Sequence, residues 1–188
     1  MLVLASQSPR RREILTQAGF SFTVRVPGID EVRSSAESPE DYVRRLALEK
    51  ARAATESPDE FVLAADTVVV VEGAVLEKPG STREAGEMLC RLSGRSHVVH
   101  TGVCLLHGGE AWSGVESTSV FFSALSDAEL RDYCASGEPM DKAGAYAIQG
   151  LASKFIERVE GCYFNVVGLP ISLVYRLCKQ AGYSFSAG

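Results

Sequence analysis

A chain of 188 residues with 46 % apolar and 23 % charged residues can bury roughly two-thirds of its unfolded surface, so folding needs no disulfide or structural metal. The net charge of −5 argues against a protein that coats DNA or RNA, which requires a broad basic surface; a small anionic ligand needs only a local cluster of cations. The cysteines Cys90, Cys104, Cys134, Cys162 and Cys178 are scattered without a C-x-x-C pair, no basic leader precedes the first strand, and no apolar run reaches the ~20 residues of a membrane span, which together predict reduced thiols in a cytoplasmic protein.

In chain order, Leu2 to Ala5 reads as a short apolar strand. Ser8 then suits an N-cap and Pro9 the first helical residue, where a missing N–H costs nothing, and Gly19 closes that helix. A strand is expected over Phe22 to Val26. Ser38-Pro39-Glu40-Asp41 repeats the cap-then-proline pattern and opens a helix whose apolar face carries Val43, Leu46, Ala47 and Ala54. Phe61 to Val71 is the strongest strand in the chain, and Glu72-Gly73 turns it into a hairpin with Ala74 to Pro79. Ser81-x-x-Glu84 predicts a capping box for a helix ending at Gly94.

Two antiparallel strands, Val98 to Leu106 and Val115 to Phe122, flank the turn at His107 to Glu110. Ser126-x-x-Glu129 caps a further helix that Gly137 stops. The last third is expected to hold a hairpin around Glu160-Gly161 and a final helix opened by Pro170 and closed near Gly182. Irregular alternation of helices and strands favours a mixed sheet flanked by helices in one domain over residues 1–188.

Four features carry chemistry. Arg10, Arg11 and Arg12 occupy a first helical turn that acids normally fill; the dipole disfavours them by tenths of a kcal/mol each unless an anion arrives, and a phosphate against free N–H groups would supply it. The alternative is that they are solvated or paired with nearby carboxylates. Asp66 is the only ionisable residue between Phe61 and Val71; a carboxylate buried there must be paired, metal-bound or shifted in pKa, the conditions that also make a general base. A turn-capping aspartate at a strand end is the plainer alternative. Lys50 falls on the apolar stripe of the second helix, where a lysine usually snorkels to the surface, and Lys78 follows the hairpin. Gln149, in a Gly- and Ala-rich stretch, could offer a donor and an acceptor to a base edge. His97 and His100 read as ordinary strand residues, and no P-loop or dinucleotide fingerprint is present.

Six blocks in order carry a resemblance: Leu4-Ala5-Ser6-Gln7-Ser8-Pro9-Arg10-Arg11, Arg45 to Ala51, Ala65-Asp66-Thr67-Val68-Val69, Leu76-Glu77-Lys78-Pro79, Asp141 to Tyr146, and Val167-Gly168-Leu169-Pro170. Together they resemble the Maf family of nucleoside triphosphate pyrophosphatases. The resemblance implies an α/β fold with a mixed sheet and two lobes around a cleft, similar to the inosine-triphosphate pyrophosphatases, and a homodimer. It also implies Asp66 as catalytic base, Ser6, Arg10, Arg11, Lys50 and Lys78 as a phosphate-binding cluster, and Glu31 as a supporting acid. The cofactor it implies is a divalent cation, Mg or Mn.

Asp66-Thr67 and Tyr146 to Gly150 look like the branch acting on dTTP and UTP, with Arg10, Thr67 and Gln149 deciding which base fits. The implied reaction is hydrolysis of the alpha–beta phosphoanhydride, a house-cleaning step on nucleotide pools that extends to modified pyrimidine nucleotides. Alternatives are the branch acting on 7-methyl-GTP, and a non-enzymatic regulator of cell division.

Overall fold

A computed structural model describes residues 1–34 and 36–185. The strands run in the order β2-β1-β3-β5-β6-β7, with β4 paired to β3. They are β1 (Leu2–Leu4), β2 (Phe22–Val24), β3 (Phe61–Val71), β4 (Ala74–Leu76), β5 (Ser96–His107), β6 (Glu110–Phe122) and β7 (Ile156–Glu160). The helices are α1 (Pro9–Gln17), α2 (Pro39–Ala54), α3 (Thr82–Leu92), α4 (Asp127–Ala135), α5 (Tyr163–Val167) and α6 (Ile171–Gln180). This is the mixed sheet with flanking helices that the alternating pattern predicts. The chain divides into two compact units, and no helix among the described residues is long and apolar enough to cross a membrane.

The first unit comprises residues 1–66, 101–116 and 168–188. Here β1 lies between β2 and β3, parallel to both, with Leu4 opposite Val24 on one side and Leu63 on the other. A parallel strand covered on both faces needs an unbroken apolar run, and Leu2, Val3 and Leu4 are each fully buried. The helix α2 presents Tyr42, Val43, Leu46, Ala47, Lys50, Ala51 and Ala54 on its buried face, the three-four spacing of one helical stripe. Its start is fixed as predicted: the Ser38 hydroxyl accepts from the Asp41 N–H, and Pro39 is the first helical residue.

The alanines of that stripe pack against Val3, Val62, Ala64 and Cys104. Gly102 brings the helix closer still, since a Cβ at this position would lie 2.2 Å from the Val43 carbonyl oxygen. Only glycine permits that approach. The loop after β2 is tied to the same helix: Arg45 makes a bidentate pair with Glu37, 2.7 and 2.8 Å, and donates to the Val32 carbonyl at 3.0 Å. The Arg45 guanidinium holds the Glu37 carboxyl below its usual range.

The second unit comprises residues 67–100 and 117–167. Its core gathers Val69, Val71 and Leu76 with Leu89, Leu92, Val120, Phe122, Tyr146 and Phe155. The predicted hairpin between β3 and β4 forms, pairing Val71 with Ala74. The box expected at Ser81 is half made: Ser81 accepts from the Glu84 N–H, but the Glu84 carboxylate turns to the Gly80 N–H instead. At Ser126 both halves are present.

One expectation fails. Glu160-Gly161 does not join two strands; β7 pairs with β6, and α5 follows instead of a partner strand. Asn165, fully buried, donates to the Val99 carbonyl and the Thr118 hydroxyl, both at 2.9 Å, while the Cys162 N–H donates to the same hydroxyl. These side-chain bonds curl the segment where the local turn residues alone suggest a hairpin.

His97 is buried in this unit, with its Nε2 at 2.8 Å from the Tyr146 hydroxyl. Its Nδ1 has no hydrogen-bond partner among the described residues. Burial pushes the imidazole pKa down to about 4, against 6.5 for the unperturbed group. Between those values the unfolded chain binds a proton that the folded chain refuses, so stability is complete above the higher value and declines as pH falls toward the lower. The expected loss by pH 4 is on the order of 3 kcal/mol. Urea melts of wild type and His97→Gln across that range should diverge in slope, and parallel curves would refute the assignment.

Candidate active site

Asp66 lies within β3, which continues unbroken through it, and is 7 % exposed. The plainer reading of a turn-capping aspartate is therefore excluded by position. Its Oδ1 accepts from the Lys50 ammonium at 2.6 Å. The same ammonium lies 2.7 Å from Glu31 Oε1. Lys50 thus does not snorkel. Its stem follows the buried stripe of α2, and its charge is met by two carboxylates from different stretches of chain, which offsets the cost of removing it from water. Glu31 keeps a side chain 47 % exposed, on the loop that Arg45 holds and whose Glu31 carbonyl accepts from Tyr42.

Arg11 turns inward from the first turn of α1. Its Nη1 donates to the Ala65 carbonyl at 2.7 Å and to Ser6 Oγ at 3.4 Å, and its Nε donates to the Gly168 carbonyl at 2.8 Å. Desolvation lowers the pKa of this guanidinium; the negative charges of Asp66 and Glu31 oppose the shift, and the positive charge of Arg10 adds to it. The arginine expected to grip phosphate therefore also pins the backbone residue immediately before Asp66. Ser6, 6 % exposed, accepts from the Ser8 N–H at 3.2 Å. Ser8 stands at the N-cap position, yet its side chain makes no cap bond, and no acid enters the first turn.

The structure therefore brings Ser6, Arg11, Glu31, Lys50 and Asp66 together in the first unit, with Arg10 adjoining Arg11. Thr67, Lys78 and Gln149 belong to the second unit. There Thr67 is half-buried on β3, Lys78 is exposed just after β4, and Gln149 is exposed in a turn closed by the Gly150 N–H to the Ala147 carbonyl at 3.0 Å. His97 and His100 are engaged by Tyr146 and Ser117. No cluster of three or more His, Cys, Asp or Glu suited to a metal occurs among the described residues. Sequence reasoning missed the carbonyl anchors of Arg11, which leave no trace in residue type, and the Arg45–Glu37 pair that seats Glu31. It also passed over Gly102, although a glycine inside a strand is a known sign of close backbone approach.

The class of fold is shared with the Staphylococcus aureus Ham1 protein, to which the chain is 15 % identical, with a TM-score of 0.52 over 97 % of this chain and 99 % of that one. At that identity the likeness is one of fold alone. The model of the Maf-like protein family matches residues 1–181, and the chain belongs to that family. Relatives named dTTP/UTP pyrophosphatase include those of Symbiobacterium thermophilum, 51 % identical over all of this chain and 97 % of its own length, and Koribacter versatilis, 49 % identical over 96 % and 94 %. The Vibrio cholerae protein of the same name is 50 % identical over 90 % of this chain and 92 % of its own.

Proposed function

We propose that this protein is a nucleoside triphosphate pyrophosphatase that hydrolyses dTTP and UTP to the monophosphate and pyrophosphate. The observation that carries the proposal is the buried Lys50 ammonium held between Asp66 and Glu31. Relatives near half identity that bear the name dTTP/UTP pyrophosphatase support the substrate assignment. Asp66 Oδ1 is fixed by Lys50, and its other oxygen accepts a proton from the attacking water. As that water adds to phosphorus, the alpha–beta anhydride bond breaks and pyrophosphate leaves with the bonding electrons.

Ser6, Arg10, Arg11 and Lys50 supply donors and positive charge to the phosphate chain beside the N-terminus of α1, where oriented N–H groups favour an anion. The gain comes from positioning and charge stabilisation. Two carboxylates already share one cation here, and magnesium is commonly held by one or two carboxylates completed by substrate phosphates. Asp66 and Glu31 therefore fit a magnesium or manganese ion. When bound, that ion would neutralise phosphate charge.

Thr67 and Gln149 are assigned to base selection together with Arg10, and Lys78 to phosphate binding. Modified pyrimidine nucleotides fall within the same substrate class, in keeping with a house-cleaning role in the cytoplasm, and the working form is a homodimer. The deciding experiment is pyrophosphate release from UTP, dTTP, CTP, ATP, GTP and 7-methyl-GTP, with magnesium, manganese or chelator. Preference for UTP and dTTP with dependence on the added ion is expected. Preference for 7-methyl-GTP would move the protein to the sister branch, and no release from any nucleotide would leave the division-regulator reading.

A further inference from the structure

The turn that carries Gln149 is held at both ends by one pair of side chains. On the side before Gln149, the Ala147 N–H donates to the Tyr133 hydroxyl at 3.2 Å, and that hydroxyl donates to Glu138 Oε1 at 2.8 Å. On the side after it, the Leu151 N–H donates to Glu138 Oε2 at 3.1 Å. A single carboxylate thus closes a loop of hydrogen bonds around residues 147–151, with Gln149 at its exposed apex. Gly150 makes room for it: a Cβ there would lie 2.3 Å from Glu138 Oε2, so the carboxylate occupies the place of a side chain against the turn.

The anchor is itself held by its surroundings. Tyr133 is 4 % exposed, and burial together with the Glu138 carboxylate raises the pKa of its hydroxyl, which remains a neutral donor. Glu138 itself is fixed through its backbone, its N–H donating to Ser136 Oγ at 3.2 Å and its carbonyl accepting from Lys142 Nζ at 2.7 Å. The Tyr133 ring packs in the apolar core, edge-on to Phe155, while its hydroxyl and the Glu138 carboxylate serve the turn. Two buried or half-buried polar side chains are committed to two backbone N–H groups that flank one exposed amide.

We propose that Glu138 and Tyr133 are positioning residues that fix the Gln149 amide for recognition of a pyrimidine base. This rests on the base-reading role assigned to Gln149 above. An exposed amide on a loose turn could meet many base edges equally, because rotation exchanges its donor and acceptor. Discrimination requires that the turn, and with it the reach of the amide, be set in advance.

The test compares Tyr133→Phe, Glu138→Ala, Glu138→Gln and Gln149→Ala by kcat and KM for UTP and ATP, with melting temperatures. Tyr133→Phe and Glu138→Ala are expected to raise KM for UTP about ten-fold while kcat stays within about three-fold, so that the preference for UTP over ATP falls about ten-fold, as it does in Gln149→Ala. Glu138→Gln, which can still accept from Leu151 N–H and bond to Tyr133, should restore most of the preference. Combining Glu138→Ala with Gln149→Ala should add nothing further. Preference lost in Gln149→Ala but kept in both Tyr133→Phe and Glu138→Ala overturns the positioning role alone. Preference unchanged in Gln149→Ala removes the base-reading role and this inference with it. A fall in kcat shared equally by UTP and ATP, or a lowered melting temperature with the preference intact, would make the pair purely structural and overturn the proposal.

Discussion

Replacing Asp66 by Asn is expected to lower kcat at least about 100-fold while leaving KM for UTP within a few-fold, because the change removes proton acceptance and little of the phosphate binding. The substitution is nearly isosteric. Its amide oxygen can still accept from Lys50, so the buried ammonium keeps a partner and the chain should fold with a melting temperature close to wild type. That is why Asn is the informative variant and Ala is not, since Ala would leave Lys50 with Glu31 alone, a half-exposed partner. Single-turnover rates of pyrophosphate release, measured at saturating nucleotide, separate the chemical step from product release. Retention of more than about a tenth of the wild-type rate would show that another group takes the proton and would remove Asp66 from the centre of the reaction.

The second large effect is on stability. Lys50→Met keeps the length of the stem along α2 and deletes the charge, leaving Asp66 with a side chain only 10 % exposed and its closest cation gone. Removing one partner of a buried pair typically costs about 3–5 kcal/mol, most of it the penalty of the charge left behind. The lower end is expected here, because Arg11 remains near enough to Asp66 to feel its field. Denaturant unfolding at neutral pH measures it. The double variant Lys50→Met, Asp66→Leu should recover part of the loss, since neither charge of the pair is then left without the other, although Arg11 loses the carboxylate beside it. A single variant within about 1 kcal/mol of wild type would mean that the Lys50–Asp66 contact is solvated and contributes little.

Much of this arrangement is legible in the sequence, and the reasons differ by residue. Asp66 stands out because one charge interrupts an eleven-residue apolar strand. Lys50 is placed on the buried stripe by helical spacing alone, but spacing cannot choose between a lysine that reaches water and one that meets carboxylates, because the carboxylates come from residues 16 and 19 positions away. The first-turn arginines are conspicuous for the field they oppose. That Arg11 would spend its donors on the carbonyls of Ala65 and Gly168 was invisible, since any residue supplies a carbonyl.

Helix starts were read well where a hydroxyl and an acid cooperate, as at Ser126 and Glu129. The predicted hairpin at Glu160-Gly161 failed because the deciding bonds belong to Asn165 and Thr118, 47 positions apart. Local turn chemistry competes with such long-range partners and loses when the partner is buried.

The contact between Gly102 and the Val43 carbonyl sets a limit on how this site can change over evolutionary time. With backbone seated on backbone, α2 has no side chain at that point whose trimming or growth could slide it by a fraction of a turn. Lys50 is carried two turns farther along the same helix, so the location of its charge is inherited from a place where no methyl group fits. Descendants that accept a longer or shorter reach between cation and phosphate must therefore alter the tip of a side chain, because the frame beneath it has no gradual adjustment to offer.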